Sequence, residues 1–243
     1  MLKIITRTVR KFLNSFGYEI VKAENVNHQF GSWLGKLDIK TIIDIGANEG
    51  QFIKSITGLL PGRKIIAFEP IKICYDKMIV NTKQLNIKAF NCGLSDHNGS
   101  TEIHVSKNYV SSSILPMEEL HKNLYPESKY INTQTIELKK LDDAVSGINL
   151  SKNILLKIDV QGYENKVIAG GASTIKEVAV VVIEFSYEPI YEGQWLFDET
   201  YKYFTSNGFK LVGITDQAKS DKTGIPIYAD AVFVRKDLVK LIY

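Results

Sequence analysis

One stretch limits this chain more than any other: Ile42-Ile43-Asp44-Ile45-Gly46-Ala47-Asn48-Glu49-Gly50, followed by Ile65-Ile66-Ala67-Phe68-Glu69-Pro70. It reads as a buried strand, a glycine turn, a helix and a second buried strand ending in a carboxylate, the order of parts in a doubly wound α/β sheet. Glu69 follows Gly50 by 19 residues, a spacing that suits an acid meeting a ribose. The phosphate chemistry, however, is missing. No Lys-Ser or Lys-Thr stands directly after Gly50 as in a P-loop, and the glycine pattern is G-x-x-x-G rather than G-x-G-x-x-G. Asp44, at the mouth of the first strand, would repel a pyrophosphate and attract a cation.

A nucleoside that carries positive charge fits these residues, and S-adenosylmethionine is such a compound. Asp44 would hold its cationic amino-acid end. Gly46 and Ala47 would let the backbone pass close to the ligand, Asn48 tolerates unusual backbone angles in a turn, and Gly50 would let the next helix lie close to the strand. Glu69 would accept both ribose hydroxyls. Ser95 and Asp96, after the third strand, are expected near the adenine amino group, although Asp96-His97-Asn98-Gly99 is equally a good turn.

Further along, strand-like and helix-like patterns alternate. Parallel strands are predicted at Thr41–Ile45, Lys64–Phe68, Lys88–Asn91, Ile154–Ile158 and Val178–Ile183, with helices near Gly50–Leu59, Cys74–Leu85 and Asn165–Ile175. A polar stretch, 106–132, between extended segments Thr101–Val105 and Thr135–Leu138, is expected to be an inserted loop on the substrate side. Helix Thr200–Ser206 and strands Lys210–Ile214 and Ala229–Arg235, joined by a polar loop 215–227, predict an antiparallel edge pair. The fold class is therefore α/β: a doubly wound, mostly parallel sheet over 40–243, preceded by an N-terminal helical extension, 1–39.

Within that extension Leu2, Ile5, Val9, Phe12 and Phe16 recur at helical spacing, opposite Lys3, Arg7, Arg10 and Lys11. This basic amphipathic helix suits either packing as a lid or peripheral contact of residues 1–16 with an anionic membrane. With 30 basic and 27 acidic residues the chain is not built as a nucleic-acid binder. Cys74 and Cys92 read as packing residues, with no disulfide framework and no zinc spacing, and the lack of a secretory pattern favours a cytoplasmic protein. No run approaches the roughly 18 apolar residues of a spanning helix.

The segment Leu156-Lys157-Ile158-Asp159-Val160-Gln161-Gly162-Tyr163-Glu164, then Gly170-Gly171-Ala172 and Val181-Val182-Ile183-Glu184, resembles the FkbM-type S-adenosylmethionine-dependent methyltransferases, as do Asp44–Gly50 and Phe68–Pro70. The resemblance covers about Thr41 to Ile183. It implies a class I Rossmann-like fold and O-methylation of a sugar, glycan or related natural product, often in polysaccharide pathways. Gln161 departs from the family, where many members carry Glu, so this position cannot serve as a base here.

Methyl transfer to an alcohol needs an in-line oxygen and a group that takes its proton. Asp159, at the end of the fourth parallel strand, is the first choice for base or metal ligand. Glu184 ends the neighbouring strand and Glu164 opens the helix after Asp159; together these carboxylates would suit Mg²⁺, or Glu164 would merely favour a helix N-terminus. His104 is an outside candidate for proton transfer, Lys157 is expected in a structural ion pair, and Tyr187, Tyr191 and Trp195 either stack on a sugar or pack. An NAD-dependent oxidoreductase and a non-catalytic binding module on the same scaffold are the alternative readings.

Overall fold

This computed structural model describes residues 32–243; the helix expected over Leu2–Phe16 lies outside them. Trp33–Tyr243 forms one compact unit. It opens with a 3-10 turn, Ser32–Leu37, in which Leu34 and Leu37 are buried, as is Ile39. These residues, assigned above to the extension, thus belong to the folded unit.

Strand β1 (Thr41–Ile45), helix α1 (Gln51–Leu59), β2 (Lys64–Phe68), α2 (Lys72–Asn81) and β3 (Ile87–Phe90) follow in succession. After β3 come β4 (Gly93–Leu94), β5 (Gly99–Ser106), α3 (Glu119–Leu124), β6 (Tyr130–Lys139) and α4 (Leu141–Ala144). The remainder is β7 (Ile154–Ile158), α5 (Glu164–Gly170), α6 (Ala172–Ile175), β8 (Val178–Ser186), α7 (Phe197–Ser206), β9 (Phe209–Lys219) and β10 (Pro226–Arg235). The main sheet has seven strands in the order β3-β2-β1-β7-β8-β10-β9, the first five mutually parallel and β10 antiparallel to both neighbours. The chain winds outward from β1 to β3 and returns at β7, so the topological switch lies between β1 and β7. Ligands of open parallel sheets bind beyond the strand ends at such a switch.

Predicted strands β1, β2 and β7 match the structure residue for residue, because each is a continuous apolar run buried along nearly its whole length. Elsewhere the structure differs. The helix expected over Asn165–Ile175 is two helices broken at Gly170-Gly171, where a Cβ on Gly170 would lie 1.9 Å from the Ser95 carbonyl oxygen and one on Gly171 would lie 2.7 Å from Leu141. The stretch 106–132 is not a bare loop: it contains α3, and β5 pairs antiparallel with β6 in a separate three-stranded sheet. The edge hairpin reaches Lys219 and Pro226, so most of the expected 215–227 loop is strand.

Strand register assigns each side chain to a face. Ile43, Ile45, Ile66, Phe68, Leu156, Ile158, Val181, Ile183, Ala231 and Phe233 share one face and form the main core with Leu141, Val167, Ile168, Ile175 and Phe204 from the helices. The alternate residues, including Asp44, Lys157 and Asp230, lie on the other face. Cys74 and Cys92 are buried free thiols, consistent with packing.

Candidate active site

At the carboxyl end of β1 the chain turns sharply at Gly46. Its φ is +81°, and a Cβ would lie 1.8 Å from the carbonyl oxygen of Asp159, so glycine is required by the approach of β1 to the end of β7 rather than by a ligand alone. The amides of Gly46 and Ala47 both donate to the Phe68 carbonyl (3.0 Å each), which ties the turn to β2. Asn48 occupies the left-handed region (φ 47°) and its Oδ1 accepts from the Glu49 amide at 2.7 Å. Gly50, at φ +86°, faces Thr82 and Met78, so it admits α2 rather than the following helix to the strand.

Glu69 is buried and braces this turn. Its Oε2 accepts from the Asn48 amide and its Oε1 from the Ile71 amide, each at 2.8 Å. Carboxylate oxygens have further lone pairs, so the ribose contact expected of Glu69 is compatible with these bonds but shares the group with them. Asn91, which the sequence reading passed over, donates to the carbonyls of Glu69 (2.8 Å) and Pro70 (3.0 Å), fixing the ends of β2 and β3 together.

Asp44 is 1% exposed, and among the described residues its Oδ2 has no hydrogen-bond partner. Burial, against the opposing pull of Lys157, pushes its carboxyl up to about 7, and burial does the same to Glu69. A buried carboxylate with an orphaned oxygen is costly unless a cation or donor meets it. The residues therefore fit a sulfonium-bearing nucleoside whose ammonium and ribose would address Asp44 and Glu69.

The expected adenine residues are placed differently. Ser95 is buried and its hydroxyl lies 3.2 Å from the Tyr163 hydroxyl. Asp96 accepts from His97 (2.7 Å) and Lys166 (2.9 Å), and these two groups hold its carboxyl well below the usual range. Its two oxygens serve an exposed ion network, so the turn role outweighs the adenine role for Asp96.

On the acceptor side, Asp159 stands just beyond β7 with its side chain 33% exposed. Gln161 joins it to Glu184: the Nε2 donates to Asp159 Oδ1 at 2.8 Å and to Glu184 Oε1 at 3.0 Å. Below them the buried Lys157 ammonium lies 2.7 Å from Asp230 and 3.6 Å from Asp159, which is the structural ion pair expected of it. Asp230 faces Glu184 across the β10–β8 pairing, 73 residues from Lys157 in sequence, so only the folded register discloses it. Burial and the charges of Asp159 and Glu164 raise the half-buried Glu184 well above the ordinary carboxylate range.

Glu164 does not share this arrangement. Its Oε1 accepts from the amides of Val160 (3.0 Å) and Gly162 (3.1 Å), closing the turn before α5, and burial raises its carboxyl to about 7. The Mg²⁺ expected at Asp159 and Glu184 does not fit the residues present. Among the described residues no three His, Cys, Asp or Glu side chains converge as ligands, and the Gln161 amide and the Lys157 ammonium put donor hydrogens and positive charge where a cation would stand.

Other expected candidates are occupied too. His104 stacks on Tyr130 with ring centroids 4.8 Å apart. Tyr191 is buried rather than open to a sugar, its hydroxyl bonded to Gln161 Oε1 at 2.8 Å, while Trp195 packs on Tyr203 and Tyr187 on Phe185 and Phe197.

A family model described as Methyltransferase FkbM domain matches residues 44–211, which contain the turn, Glu69, Asp159 and Glu184. The chain is 31% identical over 176 residues to 2-O-methyltransferase NoeI of Sinorhizobium fredii, covering 70% of this chain and 72% of that protein. It is also 31% identical over 173 residues to methyltransferase sdnD of Sordaria araneosa, covering 61% and 66%, and 27% identical over 146 residues to methyltransferase 1 of Beauveria bassiana, covering 55% and 59%. The chain belongs to the FkbM methyltransferase family and is itself a methyltransferase.

Proposed function

We propose that this methyltransferase uses S-adenosylmethionine to methylate a hydroxyl of a sugar, glycan or related small molecule. The observation that carries the reading is the buried Asp44 carboxylate with its orphaned Oδ2 at the switch between β1 and β7, one strand from Glu69. S-adenosylmethionine, when bound, supplies the methyl group and a positive charge that these acids would offset. Asp44 holds the cationic end, and Glu69 accepts from the ribose while keeping the glycine turn in place.

On the other side of the switch, Asp159 and Glu184 offer carboxylate oxygens to an acceptor hydroxyl. A base works best when its pKa approaches the working pH, and burial has moved Glu184 in that direction. Asp159, one third exposed, receives the hydroxyl and orients it. A 2-O-methyltransferase among the relatives supports oxygen as the acceptor atom.

Calorimetry with S-adenosylmethionine, followed by transfer of a labelled methyl group to a panel of glycosides, tests this reading. Binding and label in an ether linkage are expected. Absence of heat with S-adenosylmethionine would remove the donor, and label on nitrogen or carbon would remove the O-methyl assignment.

A further inference from the structure

We propose that Gln161 is the positioning residue of the acceptor site and that the pair of carboxylates it holds selects a vicinal diol. This rests on the O-methyl reading above. Gln161 uses both hydrogens of its amide nitrogen, one toward Asp159 Oδ1 and one toward Glu184 Oε1. A reversed amide would aim an oxygen at two carboxylates, so these acceptors set which way the amide faces, and the Tyr191 hydroxyl, donating to Oε1, holds the other end of the group.

The backbone is held as firmly. Gln161 sits in the left-handed region at φ 56°, a conformation that a non-glycine residue adopts only where its surroundings enforce it. The surroundings are Gly162, where a Cβ would lie 2.8 Å from Tyr191 Cβ, and the Ser113 hydroxyl, which donates to the Gln161 carbonyl at 2.6 Å. The turn after β7, the segment after β8 and the stretch 106–132 therefore all converge on this one side chain.

The bridge does not use Oε2 of Glu184 or Oδ2 of Asp159; the latter also faces the Lys157 ammonium at 3.6 Å and keeps a further lone pair with which to accept. Carboxylates accept, so the matching substrate donates twice, from hydroxyls on adjacent carbons. The orphaned Asp44 Oδ2 lies on the same sheet face, paired in register with Lys157, and would meet the donor there. In the reaction, the oxygen of one hydroxyl forms a bond to the methyl carbon as the carbon–sulfur bond breaks with its electron pair going to sulfur. The proton of that hydroxyl passes to the carboxylate it was bonded to. The second hydroxyl is unchanged and serves as the anchor.

The test compares methyl glycopyranosides of the gluco, galacto and manno series with their monodeoxy counterparts, using labelled S-adenosylmethionine and the full chain. Removing the hydroxyl next to the methylated one should raise KM about tenfold in the native protein, the weight of one hydrogen bond to a charged group. In Gln161→Leu the same deletion should change KM less than about twofold, because the second carboxylate is no longer held. Tyr191→Phe, which keeps the buried ring, should show a partial form of the same loss and covers the case in which Gln161→Leu fails to fold. Equal sensitivity to the deoxy substrates in native protein and variants overturns the proposal, as does transfer to isolated alcohols as good as to diols. Binding of S-adenosylmethionine without transfer to any glycoside also overturns it, whereas failure to bind S-adenosylmethionine instead overturns the reading beneath it.

Discussion

The two faces of the central sheet are built from adjacent residues of the same strands and part company at the carboxyl edge. On one face, Ile45, Phe68, Ile158 and Ile183 pack against helices in a core of apolar side chains. On the other, Ile42, Leu155, Val180 and Val182 are buried just as fully, but toward the carboxyl edge Asp44, Lys157, Glu184 and Asp230 form a buried or half-buried charged layer. The first face stabilises by removing apolar area from water. The second costs stability, since burial raises Asp44, Glu69, Glu184 and Asp230 above their ordinary values. The difference locates the charge: the same strand alternation that continues the apolar core on one face sets charged side chains at the carboxyl edge of the other, where the proposed methyl donor would meet them.

The sharpest way to break this comparison is to exchange neighbours in β7. Lys157→Met leaves Asp230 buried without its 2.7 Å partner, and breaking a buried pair costs about 3–5 kcal/mol. Ile158→Ala, on the core face, should cost about 2–4 kcal/mol through lost burial and a cavity. Urea titrations would check both, and a second change, Asp230→Leu, discriminates the mechanisms. It should restore most of the loss in Lys157→Met and none in Ile158→Ala; equal behaviour of the two would mean that the faces are not energetically distinct.

Much of the core face was legible in the sequence and little of the charged face was. Continuous apolar runs such as Thr41–Ile45 and Ile154–Ile158 announce buried parallel strands whatever surrounds them, and the structure keeps those bounds. Helix α3 escaped notice because its six residues, Glu119–Leu124, are too short to display a period among polar neighbours. The outer part of β9 read as loop because an edge strand with alternate exposed residues, Thr215 to Lys219, resembles a polar linker. The positions of Asp44, Glu69 and Asp159 at or beside strand ends followed from the motifs, whereas Glu184, expected to end its strand, lies inside β8, which runs on to Ser186. Their partners did not. Asp230 meets Lys157 only through pairing of β8 with β10, and the Gln161 bridge depends on a left-handed turn that nothing in its residue type announces.

The charged face should also yield to a change that the core face would not tolerate. Asp44→Asn preserves shape and removes a buried charge, so thermal stability near pH 8 should hold or rise. Affinity for S-adenosylmethionine should fall about 100-fold, the usual scale for losing one partner of a buried charge pair. Calorimetry beside thermal melts reads both quantities on one sample. A variant that loses stability but keeps affinity would show Asp44 to be a structural acid and would dissolve the contrast between the faces.

A further effect expected is a pH dependence of stability, and its sign is fixed by the direction of the shifts. Asp44, Glu69 and Glu164 are each raised to about 7 in the folded chain from ordinary values near 4. Between those values the folded state binds protons that the unfolded chain has released, so stability falls as pH rises through the window and is retained below it. Melting of the ligand-free protein should therefore fall in temperature from pH 5 to pH 8. Saturating S-adenosylmethionine, whose positive charge favours ionised Asp44, should flatten the slope, and Asp44→Asn should remove part of it. Core variants such as Ile158→Ala should lower Tm equally at every pH. A ligand-free protein whose Tm climbs over this window would mean that these acids are already ionised in the fold, and that the charged face carries its own compensation rather than waiting for a cation to supply it.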